Sequence, residues 1–408
     1  MENVLLLYSG GLDTSCMVPW LGDHYDAQVT TLTLDLGQGG VEEAREKALM
    51  LGAVEAHVID AREAFADEFL KRAIRANGLY QDAYPLGTAL ARPLMAEQAV
   101  AVANEVGADA VAHGCTGKGN DQVRFEVSLG ALAPHLGIIA PVRQWNLDRK
   151  SEVAYARGHG IPVPPESTYS VDANLWGRSI ECGVLEDPFH APPHDVYEMC
   201  VPPEEAPNEP EMIELDFVEG VPVALDGVTM PLVDLIEALN ERAGHHGVGI
   251  VDMTEDRTVG LKSREIYESP AATVFLTAHR DLERFCSTIH ENEFKALVDR
   301  RWAELVYKGL WHDPVRESLD AAIASVNATV TGTVRVKLYK GQATVVGRAS
   351  GRSIYDHGLA TYDEGQTFDQ QASEGFIKIW GLPTRVARRR QQQQDAESAA
   401  EKSLHHAS

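Results

Sequence analysis

The sequence predicts an α/β fold: an N-terminal parallel sheet with helices on both faces, then an α+β domain and a C-terminal arm. Three observations carry this. Strand-length apolar runs alternate with helical patterns through the first third of the chain, and the first strand opens directly into a glycine turn. Beyond Ile161-Pro162-Val163-Pro164-Pro165 the strict alternation stops. The expected domains are therefore 1–165, 166–367 and an arm over 368–408.

Residues 4–7 are a short apolar run halted by turn residues, the mark of a buried strand. Ser9-Gly10-Gly11 supplies the turn, since glycine enters positive φ without steric cost. Asp13, Thr14 and Ser15 are N-cap residue types ahead of a helical pattern reaching Leu21. A strand, a glycine turn and a helix start together present free backbone N–H groups and the positive end of a helix dipole, which is an anion site. A Walker A loop needs a lysine within the loop; none is here, and G-x-G-x-x-G is absent as well.

Residues 28–34 alternate as a second strand ending in Asp35-Leu36-Gly37-Gln38-Gly39-Gly40. A helix over 41–51 follows, with Glu42, Glu43, Arg45, Glu46 and Lys47 outward, then a strand over 53–59, helices over 62–76 and 90–106, and strands over 109–112 and 137–142. Ligands in such sheets sit at the carboxyl ends of the strands, where residues 8–15, 35–39 and 113–120 all fall. Later, residues 330–336 and 342–348 read as a hairpin around Lys340-Gly341, and 376–380 as strand-like. Arg385, Arg388, Arg389 and Arg390 read as a solvated or subunit-contacting helix end, and the last dozen or so residues as disordered.

With 408 residues, 44% hydrophobic and 24% charged, the chain is globular and long enough for two domains. A formal charge of −25 argues against a nucleic-acid partner, and any bound anionic nucleotide requires locally concentrated positive charge. Cys16, Cys115, Cys182, Cys200 and Cys286 are scattered without a C-x-x-C, so neither a disulfide framework nor a zinc site is expected. The adjacent pairs His245-His246 and His405-His406 do not face one ligand, and no metal site built from side chains is expected. No signal-peptide pattern precedes the first strand and no apolar run approaches about 18 residues. A cytoplasmic protein with no membrane partner is expected.

Ser9-Gly10-Gly11-Leu12-Asp13-Thr14-Ser15 resembles the PP-loop of the ATP pyrophosphatases, in which the loop holds the β,γ-pyrophosphate while ATP is cut between α and β. Further blocks narrow the resemblance: Ala91-Arg92-Pro93; residues 112–126, from Ala112-His113-Gly114-Cys115 to Arg124-Phe125-Glu126; Tyr169-Ser170 with Asp172 and Asn174; Gly260-Leu261-Lys262-Ser263-Arg264; and Gly375-Phe376-Ile377. Over nearly its whole length the chain resembles the argininosuccinate synthases.

That resemblance implies a ligase of arginine biosynthesis that joins citrulline to aspartate, consuming ATP with Mg²⁺ and releasing AMP and pyrophosphate. The citrulline ureido oxygen attacks the α-phosphorus, and the aspartate amine then displaces AMP from the citrullyl-adenylate. Because a ureido oxygen is a poor nucleophile, positioning must supply much of the first step, where orientation can contribute about 7–11 kcal/mol.

The residues implied for ATP are Leu7, Tyr8, Ser9, Gly10, Gly11, Leu12, Asp13, Thr14 and Ser15, with Leu34 and Gly114. Those for aspartate are Thr116, Asn120 and Asp121; those for citrulline are Tyr84, Ala89, Asn120, Arg124, Ser170, Ser179, Glu255 and Tyr267. Asp13, Lys118 and Asp121 are the implied catalytic groups, and Lys118 and Arg124 the local positive charge. Asp13 is open to two roles, orienting the loop or Mg²⁺ and capping the helix. His113 is open to proton transfer or a structural role.

Three positions depart from the family pattern: Leu34 replaces a small residue, Ala89 a serine, and Ile250 an arginine. Thr88 keeps a hydroxyl beside Ala89. The resemblance also implies a homotetramer with C-terminal helices, from residue 369 on, crossing between subunits. Two other classes remain at this point. A tRNA-thiolating or amidotransferase PP-loop enzyme needs reactive cysteines and a basic RNA surface, or a glutaminase domain. A non-catalytic nucleotide binder is kept open by the three departures.

Overall fold

The computed structural model describes residues 2–145, 149–163, 169–363 and 367–406. Its first sheet is built from β1 (Asn3–Leu7), β2 (Gln28–Asp35), β3 (Glu55–Asp60), β4 (Ala110–Ala112) and β5 (Gly137–Ile139). All are parallel, in the order β3-β2-β1-β4-β5. Leu5 and Leu7 point into one buried cluster, Val4 and Leu6 into another, so both faces are covered. The strand order reverses between β1 and β4, and at such a switch point the segments leaving the two strands diverge to form a crevice. Those segments are the Ser9–Gly11 turn and the loop beginning at His113.

The helix after β1 spans Leu12–Tyr25, and its N-cap is Gly11 with no side-chain cap. This overturns capping by Asp13, Thr14 or Ser15: all three lie in the first turn, and the Thr14 and Ser15 hydroxyls turn back onto the Gly11 carbonyl. The helix expected over 62–76 is broken into Arg62–Ala64, a π-helical Phe65–Leu70 and Lys71–Arg75. The wider turn buries Phe65, Ala66, Phe69 and Leu70 together.

The second half carries β6 (Ser170–Asn174), β7 (Gly177–Glu181), β8 (Glu211–Val218), β9 (Val221–Leu225), β10 (Val228–Thr229), β11 (Ile250–Asp256), β12 (Lys262–Glu268), β13 (Gly332–Tyr339) and β14 (Gln342–Ala349). They form two antiparallel sheets, β11-β12-β7-β6 and β10-β9-β8-β13-β14. The expected hairpin is β13–β14, turning at Lys340 and Gly341 with φ of 46° and 81°, the paired positive values that suit a two-residue hairpin turn.

One apolar cluster holds Leu5, Leu32 and Phe65 from the first half with Trp176, Phe275 and Val336 from the second. The two halves therefore share a core. The boundary expected at 165/166 lies outside the described residues; by packing, the chain forms two compact units, Met1–Ile354 and Tyr355–Ser408.

Within the C-terminal body, residues 376–380 are helical, not strand-like: they end the helix Ala372–Trp380, held by a Glu374–Lys378 pair and by Phe376 stacked on Trp380, both four residues apart. A second helix, Leu382–His406, runs through most of the stretch expected to be disordered. Among the described residues no helix is long and apolar enough to cross a membrane.

Glu268 fixes the sheet β11-β12-β7-β6 to the segment leading out of Val196. Its fully buried carboxylate accepts from the N–H groups of Glu198, Met199 and Cys200 and pairs with Arg178 at 2.8 Å. Glu268→Gln removes the buried charge that Arg178 and the three N–H groups share and turns an NH2 donor toward one of these donors, although Arg178 keeps the Val196 carbonyl and Glu198. Denaturant unfolding should show a loss of about 3–5 kcal/mol, and an unchanged midpoint would contradict this assignment.

Candidate active site

The turn after β1 depends on Gly10, whose φ of 77° places it in the left-handed region. A Cβ there would also lie 3.0 Å from that of Ala44. Lys47 was expected to face outward. It turns back, and its Nζ donates to the Gly10 carbonyl at 2.8 Å, with burial lowering its pKa. The Ser9 and Thr14 hydroxyls meet at 3.1 Å, while Ser15 is buried against Tyr8 at 3.0 Å. Leu7, Tyr8, Ser9, Gly11, Leu12, Asp13 and Thr14 line a cleft; Gly10 and Ser15 support it from behind. Leu34 lines the wall beside them, its carbonyl accepting from Gln38 Nε2 at 2.5 Å, while Gln38 Oε1 accepts from the Leu36 N–H at 2.7 Å. The glutamine locks the 35–38 turn against Leu34.

The second loop meets the first at Gly114, where a Cβ would stand 3.0 Å from Thr14 Cγ2 and 3.2 Å from Met17 Cε. Glycine lets the two loops approach closely here without displacing Thr14 or Met17. Gly114, Thr116, Asn120 and Asp121 line the cleft. Lys118 is not among the lining residues: its side chain is exposed, and its carbonyl accepts from Arg257 at 3.3 Å. His113 Nδ1 accepts from the Cys115 N–H at 3.3 Å and Nε2 faces Glu126 at 3.2 Å. Nε2 is therefore the protonated nitrogen, and burial lowers the pKa, so the imidazole is neutral at the cleft wall.

Asp121 opens the helix Asp121–Leu132 and is held by two arginines. Arg92, from the helix Gly87–Glu105, donates at 3.0 and 2.8 Å, and Arg124 at 2.9 Å. Burial alone would raise the Asp121 pKa, but the two guanidinia outweigh it and hold the carboxyl below its usual range. Arg92 also bridges to Asp172 on β6. Arg92, in Ala91-Arg92-Pro93, is a charge-holding residue of the site beyond those the resemblance implies. A charged residue in the apolar run Leu90-Ala91-Arg92-Pro93-Leu94 was the available signal, because arginine is rarely buried unpaired.

The opposite wall comes from the sheet β11-β12-β7-β6, which contributes Ser170, Ser179, Glu255 and Tyr267. Tyr267 donates its hydroxyl to Glu255 Oε2 at 2.6 Å and stacks on Tyr84 at 4.1 Å. The Tyr84 hydroxyl accepts from the Thr88 N–H at 2.9 Å. Thr88 lines the cleft, whereas Ala89 is buried off the wall. Ile250 begins β11 opposite Glu268, whose carboxylate already has its partners, so no missing ion pair is evident there. Arg257, also unforeseen, binds Glu181 and reaches Glu265 at 2.6 Å.

The predicted site residues other than Gly10, Ser15, Ala89 and Lys118 thus line one cleft of 1180 Å³, larger than the roughly 300–1,000 Å³ usual for one small ligand. Among the described residues no group of three or more His, Cys, Asp or Glu is placed to hold a metal ion.

A parallel sheet whose first strand feeds the Ser9–Gly11 turn and a helix start at its switch point is the setting that the resemblance of Ser9–Ser15 to a PP-loop implies. Residues 3–162 match the argininosuccinate synthase N-terminal HUP domain, and residues 169–387 the C-terminal domain of the same family. The chain belongs to the argininosuccinate synthase family. It is 56% identical over 387 residues to the argininosuccinate synthase of Rubrobacter xylanophilus, covering 94% of each chain. It is 52% identical to those of Oceanobacillus iheyensis and Symbiobacterium thermophilum, covering 94% of this chain and 93% and 97% of theirs.

Burial, reinforced by the charge of Glu181, raises the Glu265 pKa from 4.5 to about 7. A carboxyl raised on folding favours the native state below its unfolded pKa, and that contribution is lost as pH rises through the folded value. The melting temperature of the parent minus that of Glu265→Gln should therefore fall between about pH 4.5 and 7, and a flat difference would contradict the shift.

Proposed function

We propose that this protein joins L-citrulline to L-aspartate, with ATP cleaved to AMP and pyrophosphate. The observation that carries the reading is the single cleft, where a PP-loop and a polar wall suited to two amino acids face each other. ATP lies across the switch point, its leaving pyrophosphate taken up by the N–H groups of the Ser9–Thr14 turn and the positive end of the Leu12–Tyr25 helix. Magnesium would enter with the nucleotide as Mg-ATP and would neutralise phosphate charge, and Asp13 is the carboxylate at the loop that would help hold it.

In the first step the ureido oxygen bonds to the α-phosphorus and the bond to the β-phosphate bridging oxygen breaks. Arg124 suits the carboxylate of citrulline, and Glu255, braced by tyrosine, its ammonium. In the second step the aspartate amine bonds to the ureido carbon, AMP departs, and the nitrogen gives up its proton. Asp121 offers that amine an opposite charge, with Thr116 and Asn120 beside it. Sulfur transfer fits poorly: Cys115 lines the cleft, but burial pushes its thiol up, away from a reactive thiolate.

A cytoplasmic homotetramer completes the proposal. Phe376, Ile377, Ile379 and Trp380 are exposed on one short helix, an apolar surface that suits subunit contact.

The test is pyrophosphate release from Mg-ATP with citrulline and aspartate, singly and together. Sustained turnover is expected only with both; ATP binding without release in the presence of both would refute the proposal.

A further inference from the structure

The end of the helix Ile289–Tyr307 touches three of the implied substrate-contacting residues without itself reaching the cleft. Tyr307 is fully buried behind the wall. Its hydroxyl contacts one oxygen of Glu255 and lies 2.8 Å from Asn120 Nδ2, while its carbonyl accepts from Arg124 Nε at 3.0 Å.

The proton directions follow from the chemistry of the groups. A carboxylate only accepts, so the phenol proton goes to Glu255 and the phenol oxygen is left to accept from the Asn120 amide nitrogen. That fixes the amide, directing its Oδ1 to the Thr258 N–H at 2.8 Å. Tyr267 fills the other Glu255 oxygen at 2.6 Å. Burial, then the Glu255 charge, raises the Tyr307 pKa, so the phenol remains a donor.

The ring is equally constrained. It stacks on Tyr80 at 3.5 Å and 5°, and the Arg124 guanidinium carbon lies 5.0 Å from its centroid. The helix ends in a Schellman pair, Leu310 N–H to Leu305 O and Gly309 N–H to Val306 O, with Gly309 at φ 75°. A Cβ on Gly309 would come within 2.8 Å of Arg124 Cα. The close approach that seats this helix end on Arg124 therefore depends on glycine.

We propose that Tyr307, with Gly309 behind Arg124, is the positioning residue for citrulline: it orients Asn120, Glu255 and Arg124 as a unit without touching substrate. This rests on the ligase reading above. It differs from that reading by placing part of substrate selection on an element outside the cleft wall.

The test uses the full-length protein and two variants, Tyr307→Phe and Gly309→Ala, with KM measured for citrulline and ATP and citrulline binding measured by calorimetry. Tyr307→Phe keeps the stacked ring and removes only the hydroxyl. It should raise the KM and Kd for citrulline about tenfold or more, with the KM for ATP changing by less than about twofold. Gly309→Ala, which presses on Arg124, should give the same asymmetry. An unchanged citrulline constant, or equal rises for citrulline and ATP, would overturn the positioning role. If the parent makes argininosuccinate, such a result counts against this inference alone; a parent that neither binds citrulline nor turns over removes the ligase reading and the inference with it.

Discussion

The site depends on one chain of alternating charges, Arg124–Asp121–Arg92–Asp172. Its members come from the helix Asp121–Leu132, the helix Gly87–Glu105 and strand β6. It runs across the seam between the parallel sheet's helices and the antiparallel sheet that forms the opposite wall. In a chain of net charge −25, positive charge near an anionic substrate must be placed deliberately, and here each arginine is held by carboxylates that are themselves partly buried. Partial burial strengthens these pairs relative to exposed ones, and the alternation keeps any one charge from standing alone.

Around that chain the glycines set how closely the parts approach. Gly10 allows the left-handed turn between the first strand and its helix, Gly114 lets the second loop close on Thr14 and Met17, and Gly309 lets a distant helix end rest on Arg124. The PP-loop accordingly has no substrate preference of its own. In the proposed reaction it holds the departing anion at a helix start, while recognition of the amino acids is assigned to Asp121 and its arginines and to the tyrosine-braced Glu255.

The sequence disclosed what is local. The strand–turn–helix at residues 4–21 was legible because apolar run, glycine turn and helical period follow one another directly. Even there the capping expected of Asp13, Thr14 or Ser15 falls to Gly11, and the Thr14 and Ser15 hydroxyls turn back onto its carbonyl. Residues 376–380, Phe-Ile-Lys-Ile-Trp, have strand-like composition, yet contacts four residues apart make them helical. Lys118, implied as catalytic by the resemblance, has an exposed side chain, which its position in a polar loop does not reveal. Arg92, Lys47 and Tyr307 were assigned no role because their partners lie far off in sequence: 80 residues separate Arg92 from Asp172, and 187 separate Tyr307 from Asn120. Such pairings arise only when two sheets share a core.

The central claim is that the PP-loop and the citrulline wall suffice for the first chemical step, with aspartate needed only for the second. Positional isotope exchange tests this directly, using Mg-ATP labelled with ¹⁸O in the α,β-bridge and citrulline without aspartate. The account predicts that label migrates from the bridge to the non-bridging β-phosphate oxygens when citrulline is present and stays in place when it is absent. Migration that requires aspartate, or that proceeds without citrulline, would contradict it.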